Sequence, residues 1–170
     1  FGARSSGCTH RGRTYSGQVA VALEQVDASG AQIGHTWTRL SDGRITLDGT
    51  AHVTWSAPEA RRRVLHEATW TTAEGRVVDA SGDRTQRLID PTVGIAGGLR
   101  IDGNRRWITD AGTWTLDIEG VEARGEDPVP QAGRYVLVTA QGEAVTATFS
   151  RIDPDVIEVR LEGPRRGRTF

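Results

Sequence analysis

The stretch "DASGAQIGHTWTRLSDGRI" (27–45) decides the fold. At each end a small or polar pair is followed by glycine: "ASG" at 28–30 and "SDG" at 41–43. A three-residue hairpin loop needs a type I turn and then a residue at positive φ, which glycine adopts at least cost. Between the loops the residues alternate between apolar and polar, as they do on a strand with one dry face. A loop of known length fixes the register, and the register fixes which residues share a face. Pairing Asp27 with Ala31 sets Leu23 opposite His35 and Val21 opposite Trp37. Pairing Leu40 with Arg44 sets Trp37 opposite Leu47 and Ile33 opposite Ala51. One face then collects Val19, Val21, Leu23, Ile33, Trp37, Ile45, Leu47, Val53 and Trp55, with His35 and Arg39 as its polar exceptions. The other collects Gln32, Thr36, Thr38, Arg44, Thr46, Asp48, Thr50, His52 and Thr54. Two separate loop assignments converge on one apolar face, and that agreement predicts an antiparallel meander.

The same shape recurs along the chain. "AEG" 73–75, "ASG" 80–82, "DAG" 110–112 and "AQG" 140–142 are flanked by segments rich in Val, Thr, Ile, Leu or Trp. With "DAG" as a three-residue loop, Ile108, Trp114, Leu116 and Ile118 share a face, and Trp107 falls on the opposite one beside Arg105 and Arg106. With "AQG" as a loop, Tyr135, Leu137, Val145, Ala147 and Phe149 line up, and Ile157, Val159 and Leu161 alternate in the next strand. The triplet Thr-Trp-Thr occurs at 36–38, 69–71 and 113–115, at spacings of 33 and 44 residues. Unequal spacings mark no fixed repeat unit. The triplet is what a strand with one dry and one wet face looks like. "APEARRRVLHEA" 57–68 reads either as a short helix or as a turn into a strand that faces Val64, His66, Ala68 and Trp70 one way. The expected fold is all-β: about nine or ten antiparallel strands, closed as a β-barrel or folded as a β-sandwich. Residues 1–14 read as an N-terminal tail and 15–170 as a single domain, with a possible sub-boundary at the polar, proline-containing linker 125–133. Burying the tryptophans, at ~200 Å² each and ~25 cal/mol/Å², would supply on the order of 20 kcal/mol of gross driving force.

Composition bounds the function. Of 170 residues, 36% are hydrophobic and 25% charged, with a net charge of −1, which is a globular composition. Near-neutrality argues against a nucleic-acid binder, and no apolar run is long enough for a transmembrane helix. The sequence begins without Met, which reads as a processed form or an excised fragment. All 21 basic residues are arginine, so lysine Schiff-base chemistry has no residue to use. Cys8 stands alone, which excludes an intrachain disulfide. Its context "RSSGCTH" offers it as a lipidation site or a free thiol, although Ser5 occupies a position where a large aliphatic residue is expected.

His10, His35, His52 and His66 are the only imidazoles. No carboxylate or thiolate completes a ligand spacing around them, so neither a metal nor another cofactor is expected. There is no Gly-x-Ser-x-Gly elbow. The acidic pairs Glu126/Asp127 and Asp153/Asp155 fall in turn-like stretches; a hydrolase would need two such carboxylates across a cleft. "GTW" 112–114 matches the short Gly-x-Trp signature of lipocalins, but that motif opens a first strand and here only 56 residues follow Trp114. The arginine clusters "ARRRV" 60–64, "NRRW" 104–107 and "PRRGR" 164–168 are solvated strand ends or contacts for an anionic surface or polysaccharide. Trp107, with Arg105 and Arg106, is the candidate for surface recognition.

The segments "DGTAHVTW", "GTWTLDIEGVEARGEDPVPQAGRYVL" and "TFSRIDPDVIEV" resemble those of exported β-rich domains, often lipoproteins, of GC-rich bacteria. The resemblance implies a periplasmic, outer-surface or extracellular location and carries no activity. The expected function is a non-catalytic structural or binding role at the cell surface or in an extracellular assembly, with self-association through edge strands. The alternatives are a lipocalin-like carrier of a small apolar ligand and a hydrolase using paired carboxylates.

Overall fold

The computed structural model describes residues 8–10, 12–164 and 168–169. The strands are β1 (Cys8–His10), β2 (Arg13–Asp27), β3 (Gly30–Ser41), β4 (Ile45–Ser56), β5 (Arg61–Thr72), β6 (Val77–Leu88), β7 (Leu99–Thr109), β8 (Gly112–Ala123), β9 (Ala132–Val138), β10 (Ala144–Asp153), β11 (Val156–Glu162) and β12 (Arg168–Thr169). One 3₁₀ turn, Gly94–Gly97, lies between β6 and β7. The twelve strands form one sheet in sequence order, every neighbouring pair antiparallel. The sheet is an open meander: among the described residues the two ends do not pair, so it is neither a closed barrel nor two stacked sheets. The alternation that predicted one apolar face does not dictate closure, and the two spare strands over the expected nine or ten are the short β1 and β12.

The loops explain how the first register survives two wrong loop lengths. The β2–β3 turn has two residues, since Asp27 pairs with Gly30. The Asp27 carboxylate closes it by accepting from the Ser29 and Gly30 amides at 2.8 and 3.2 Å. A bulge between Leu23 and Gln25 then moves the register by one more residue. Two shifts of one restore the face: Val21 lies opposite His35 and Leu23 opposite Ile33. Gly30 is needed at this turn, but not for the expected reason. It has no positive φ; a Cβ there would meet the Trp55 carbonyl oxygen at 2.0 Å. The β3–β4 connection is longer than expected and carries a bulge between Trp37 and Leu40, so Trp37 faces Gly49 and Ile33 faces Val53. "AEG" and "AQG" are three-residue loops: the Thr72 and Thr139 amides donate to the Arg76 and Glu143 carbonyls, each at 2.9 Å, around glycines at φ 82 and 79.

Two further loop expectations fail. "ASG" 80–82 is no loop but the interior of β6. "DAG" holds a two-residue turn, because Thr109 pairs with Gly112. No bulge corrects that shift near the turn, so the parity of β7 reverses. Trp107 lies opposite Trp114 on the apolar face, and Ile108 is turned outward. Residues 57–68 supply a turn and β5, with Val64, His66, Ala68 and Trp70 on one face and no helix. The sheet runs on through the 125–133 segment, since Thr115–Glu119 of β8 pair with Arg134–Val138 of β9.

The core is small and off-centre. Its buried apolar residues are Ala51, Ala80, Ile118, Val121 and Phe149. Three of these lie on β8 and β10, where Tyr135 and Phe149 meet edge to face with centroids 5.6 Å apart. The loop between β8 and β9 is clamped there by Arg151, which bonds Gln131 Oε1 at 3.1 Å and pairs with Asp127. No tryptophan joins the fully buried set. The accessible surface is 11457 Å², against about 8,200 Å² for a compact folded monomer of this mass. The excess is what a sheet exposes when, among the described residues, no second layer of strands or helices packs on its apolar face.

Candidate functional site

Cross-strand pairing assembles that face row by row. One row runs Val19, Trp37, Gly49, Ala68, Ala80, Trp107, Trp114 from β2 to β8. The next runs Val21, His35, Ala51, His66, Gly82, Arg105, Leu116. The third runs Leu23, Ile33, Val53, Val64, Arg84, Gly103, Ile118. Trp55 and Trp70 share the face, opposite Arg62 and Leu47. All five tryptophans therefore stand on one side of the sheet. In the first row Gly49, Ala68 and Ala80 leave a floor of small residues between Trp37 and Trp107. Four strand spacings separate those two tryptophans, about 19 Å.

A cationic centre adjoins this floor. On β6 and β7 the face carries a block of four residues: Gly82 opposite Arg105, and Arg84 opposite Gly103. Each arginine faces a glycine, and the two arginines are diagonal neighbours, which brings their long side chains within reach of each other. Gly82 is required by this arrangement. A Cβ there would meet His66 Cε1 at 2.5 Å and Arg105 Cγ at 3.3 Å, so His66 and Arg105 close over it from both sides. The Nε atoms of Arg84 and Arg105 and Nδ1 of His66 are buried without a hydrogen-bond partner. Among the described residues neither arginine makes an ion pair or a side-chain hydrogen bond. Arg62, next to them, donates to Gln86 instead of an acid. Burial lowers the pKa of His66, and the charges of Arg84 and then Arg105 lower it further. The Arg84 guanidinium is likewise shifted down, by burial and by the charges of Arg105 and Arg62.

The acids are all elsewhere. Asp48, Glu67, Asp79, Asp83, Asp102, Asp117, Glu119 and Glu122 have the parity of the opposite face. There they are paired or solvated: Arg63 grips Asp83 through two bonds of 2.9 and 2.5 Å, and Arg134 bonds Glu119 at 2.8 Å. The three rows of the apolar face contain no carboxylate.

The sequence-derived candidates are dispersed by this register. Trp107 and Arg105 sit on the apolar face and Arg106 on the other, so the three do not form one patch. Cys8 is an exposed free thiol on β1; the preceding residues 1–7, including Arg4 and Ser5, lie outside the described residues, as do 165–167 of the C-terminal arginine cluster. His35 and His66 share a row with Ala51 between them, two strand spacings or about 10 Å apart. No group of three or more His, Cys, Asp or Glu fit to hold a metal occurs among the described residues. Asp127 is neutralised by Arg151. Sequence reasoning missed Arg84 and the placement of Arg105. The signal was present in the Asp110-Ala111 dipeptide, which reads as a two-residue turn as readily as part of a three-residue one. No known protein family matches the chain, and no curated protein or solved structure is significantly similar to it.

Proposed function

We propose that this protein is a non-catalytic, exported binding module that takes an apolar ligand onto its aromatic face. One observation carries the reading: a twelve-stranded sheet gathers all its tryptophans on one side and, among the described residues, lays no second layer over them. Val21, Leu23 and Trp70 of that face are 60%, 69% and 38% exposed. An apolar surface of this extent on a folded chain marks a place where something docks. The exported location rests on the resemblance of its strand segments to those of exported bacterial domains. The five tryptophans supply the test. Adding a neutral amphiphile below its micellar concentration should shift their emission to the blue and saturate at a defined stoichiometry. A spectrum unchanged up to the micellar limit rejects the reading.

A second reading, assembly through strand edges, has its own support. From Ser16 to Asp27, β2 has no partner on its outer side among the described residues. That edge carries no proline or lysine to discourage pairing, and Val21, Leu23 and Val26 are exposed along it.

A further inference from the structure

We propose that the aromatic face binds a free, single-chain amphiphile with an oxyanion head, a carboxylate or phosphate held by Arg84 and Arg105 while the tail lies on the Gly49–Ala68–Ala80 floor. This inference rests on the binding-module reading and names its ligand. Two arginines side by side on a mostly apolar face repel each other and lose hydration, and no acid on the three rows repays that cost. A guanidinium presents a planar fork of donors that matches an oxyanion in two-bond geometry. Here two such side chains are diagonal neighbours close enough for each charge to act on the other, and their Nε atoms have no protein partner. Arg105 is two residues from Trp107 on β7, so head and tail sites are contiguous. The floor beyond Trp107 is a run of three small residues, Ala80, Ala68 and Gly49, on successive strands, so nothing bulky stands on the face between Trp107 and Trp37 along this row.

Two other occupants fit less well. A second copy docked face to face would cover the arginines with a surface whose three rows hold no carboxylate to pair with them. A membrane surface would satisfy the guanidiniums but point its tails away from the protein, leaving the Gly49–Ala68–Ala80 floor uncovered. A free amphiphile lying along the face satisfies both.

The test compares dodecanoate with dodecanol on the full chain, both as monomers, read by tryptophan emission. Dodecanoate should bind at least about tenfold more tightly, the worth of charge-assisted hydrogen bonds over neutral ones. The double variant Arg84→Gln, Arg105→Gln should erase that preference, bringing dodecanoate to the level of dodecanol. Arg106→Gln, one residue away on the other face, should alter neither. If the double variant fails to fold, as judged by circular dichroism, the wild-type preference and the single Arg105→Gln variant decide. Equal binding of both probes overturns the inference and leaves the binding-module reading standing. No binding of either overturns both. Binding to anionic vesicles without uptake of monomer overturns it in favour of a membrane contact.

Discussion

Replacing Leu23 by Ala tests whether the apolar face is open. Leu23 and Val121 belong to the same side of the same sheet, yet one is 69% exposed and the other fully buried. Complete burial of a leucine side chain is worth about 1.5–3 kcal/mol. With roughly a third of that realised, Leu23→Ala costs about 0.5–1 kcal/mol, including the weaker strand preference of alanine. Val121→Ala removes two methyl groups at about 0.8 kcal/mol each and leaves a cavity, so about 2–3 kcal/mol is lost. The ratio matters more than either value, because both variants share one denatured chain and one assay. Urea unfolding followed by far-ultraviolet circular dichroism gives both midpoints, with the slope checking that the exposed area has not changed. A Leu23→Ala loss equal to that of Val121→Ala would refute the reasoning, since it requires a layer over β2. If that loss shrank on dilution, the layer would be a second copy of the chain.

Three further outcomes follow from named geometry. Gly103→Ala should cost more than about 3 kcal/mol or abolish folding, because φ is 137 and the new Cβ would lie 2.1 Å from the Asp83 carbonyl oxygen; Gly142→Ala, at φ 79 in open space, should cost only about 1 kcal/mol. Thermal melts of the two separate a ladder contact from backbone strain alone. Val21→Lys with Leu23→Lys should leave the circular dichroism spectrum intact and abolish any self-association seen by sedimentation velocity, since charge on an edge strand blocks sheet extension; persistent oligomers would locate the contact away from β2. His66 should titrate below 6.5 by NMR, because burial and then Arg84 and Arg105 disfavour its charged form, with His35 the next titratable group across Ala51. A depressed histidine pKa means that the unfolded chain binds the proton more readily. Its contribution to stability is therefore complete above pH 6.5 and is lost as the pH falls from there through the folded value. The Arg84→Gln, Arg105→Gln variant should move the His66 midpoint upward, and an unmoved midpoint would separate the imidazole from the two guanidiniums.

The antiparallel meander and most of its dry face were legible in the sequence, because a period of two is local and every strand repeats it. Val19, Trp37, Val53 and Trp55 fall where alternation puts them even though their loops are shorter or longer than a three-residue hairpin. The bulges at Leu23/Gln25 and Trp37/Leu40 restored the parity. Bulges have no simple residue code, so that recovery could not be read in advance. At Asp110-Ala111 the same one-residue error met no compensating bulge until Ile101/Gly103, and Trp107, Arg105 and Ile108 changed sides. Closure was illegible for a different reason. Alternation reports that one face is dry; it does not report whether the covering layer belongs to the same sheet, another chain or a ligand.

That ambiguity bears on how the cationic centre is understood. In a closed barrel Arg84 and Arg105 would be trapped in a dry interior beside five tryptophans, and their unpaired Nε atoms would be a pure cost. On an open face the same residues keep access from one side, so an anion can arrive without unfolding anything. Glycines opposite both arginines, small residues along the neighbouring row and the lack of a carboxylate in the three rows then serve one purpose. They leave room for a chain, room for a head group, and no internal acid to compete for it. The cost of holding two guanidiniums together is borne by the empty protein and relieved by the occupant. This predicts an order of stabilities: anion-bound wild type above the unliganded double variant, and the double variant above unliganded wild type. Melting temperatures measured with and without dodecanoate give that order directly, and an unliganded double variant less stable than unliganded wild type would show that the arginines hold the sheet together instead.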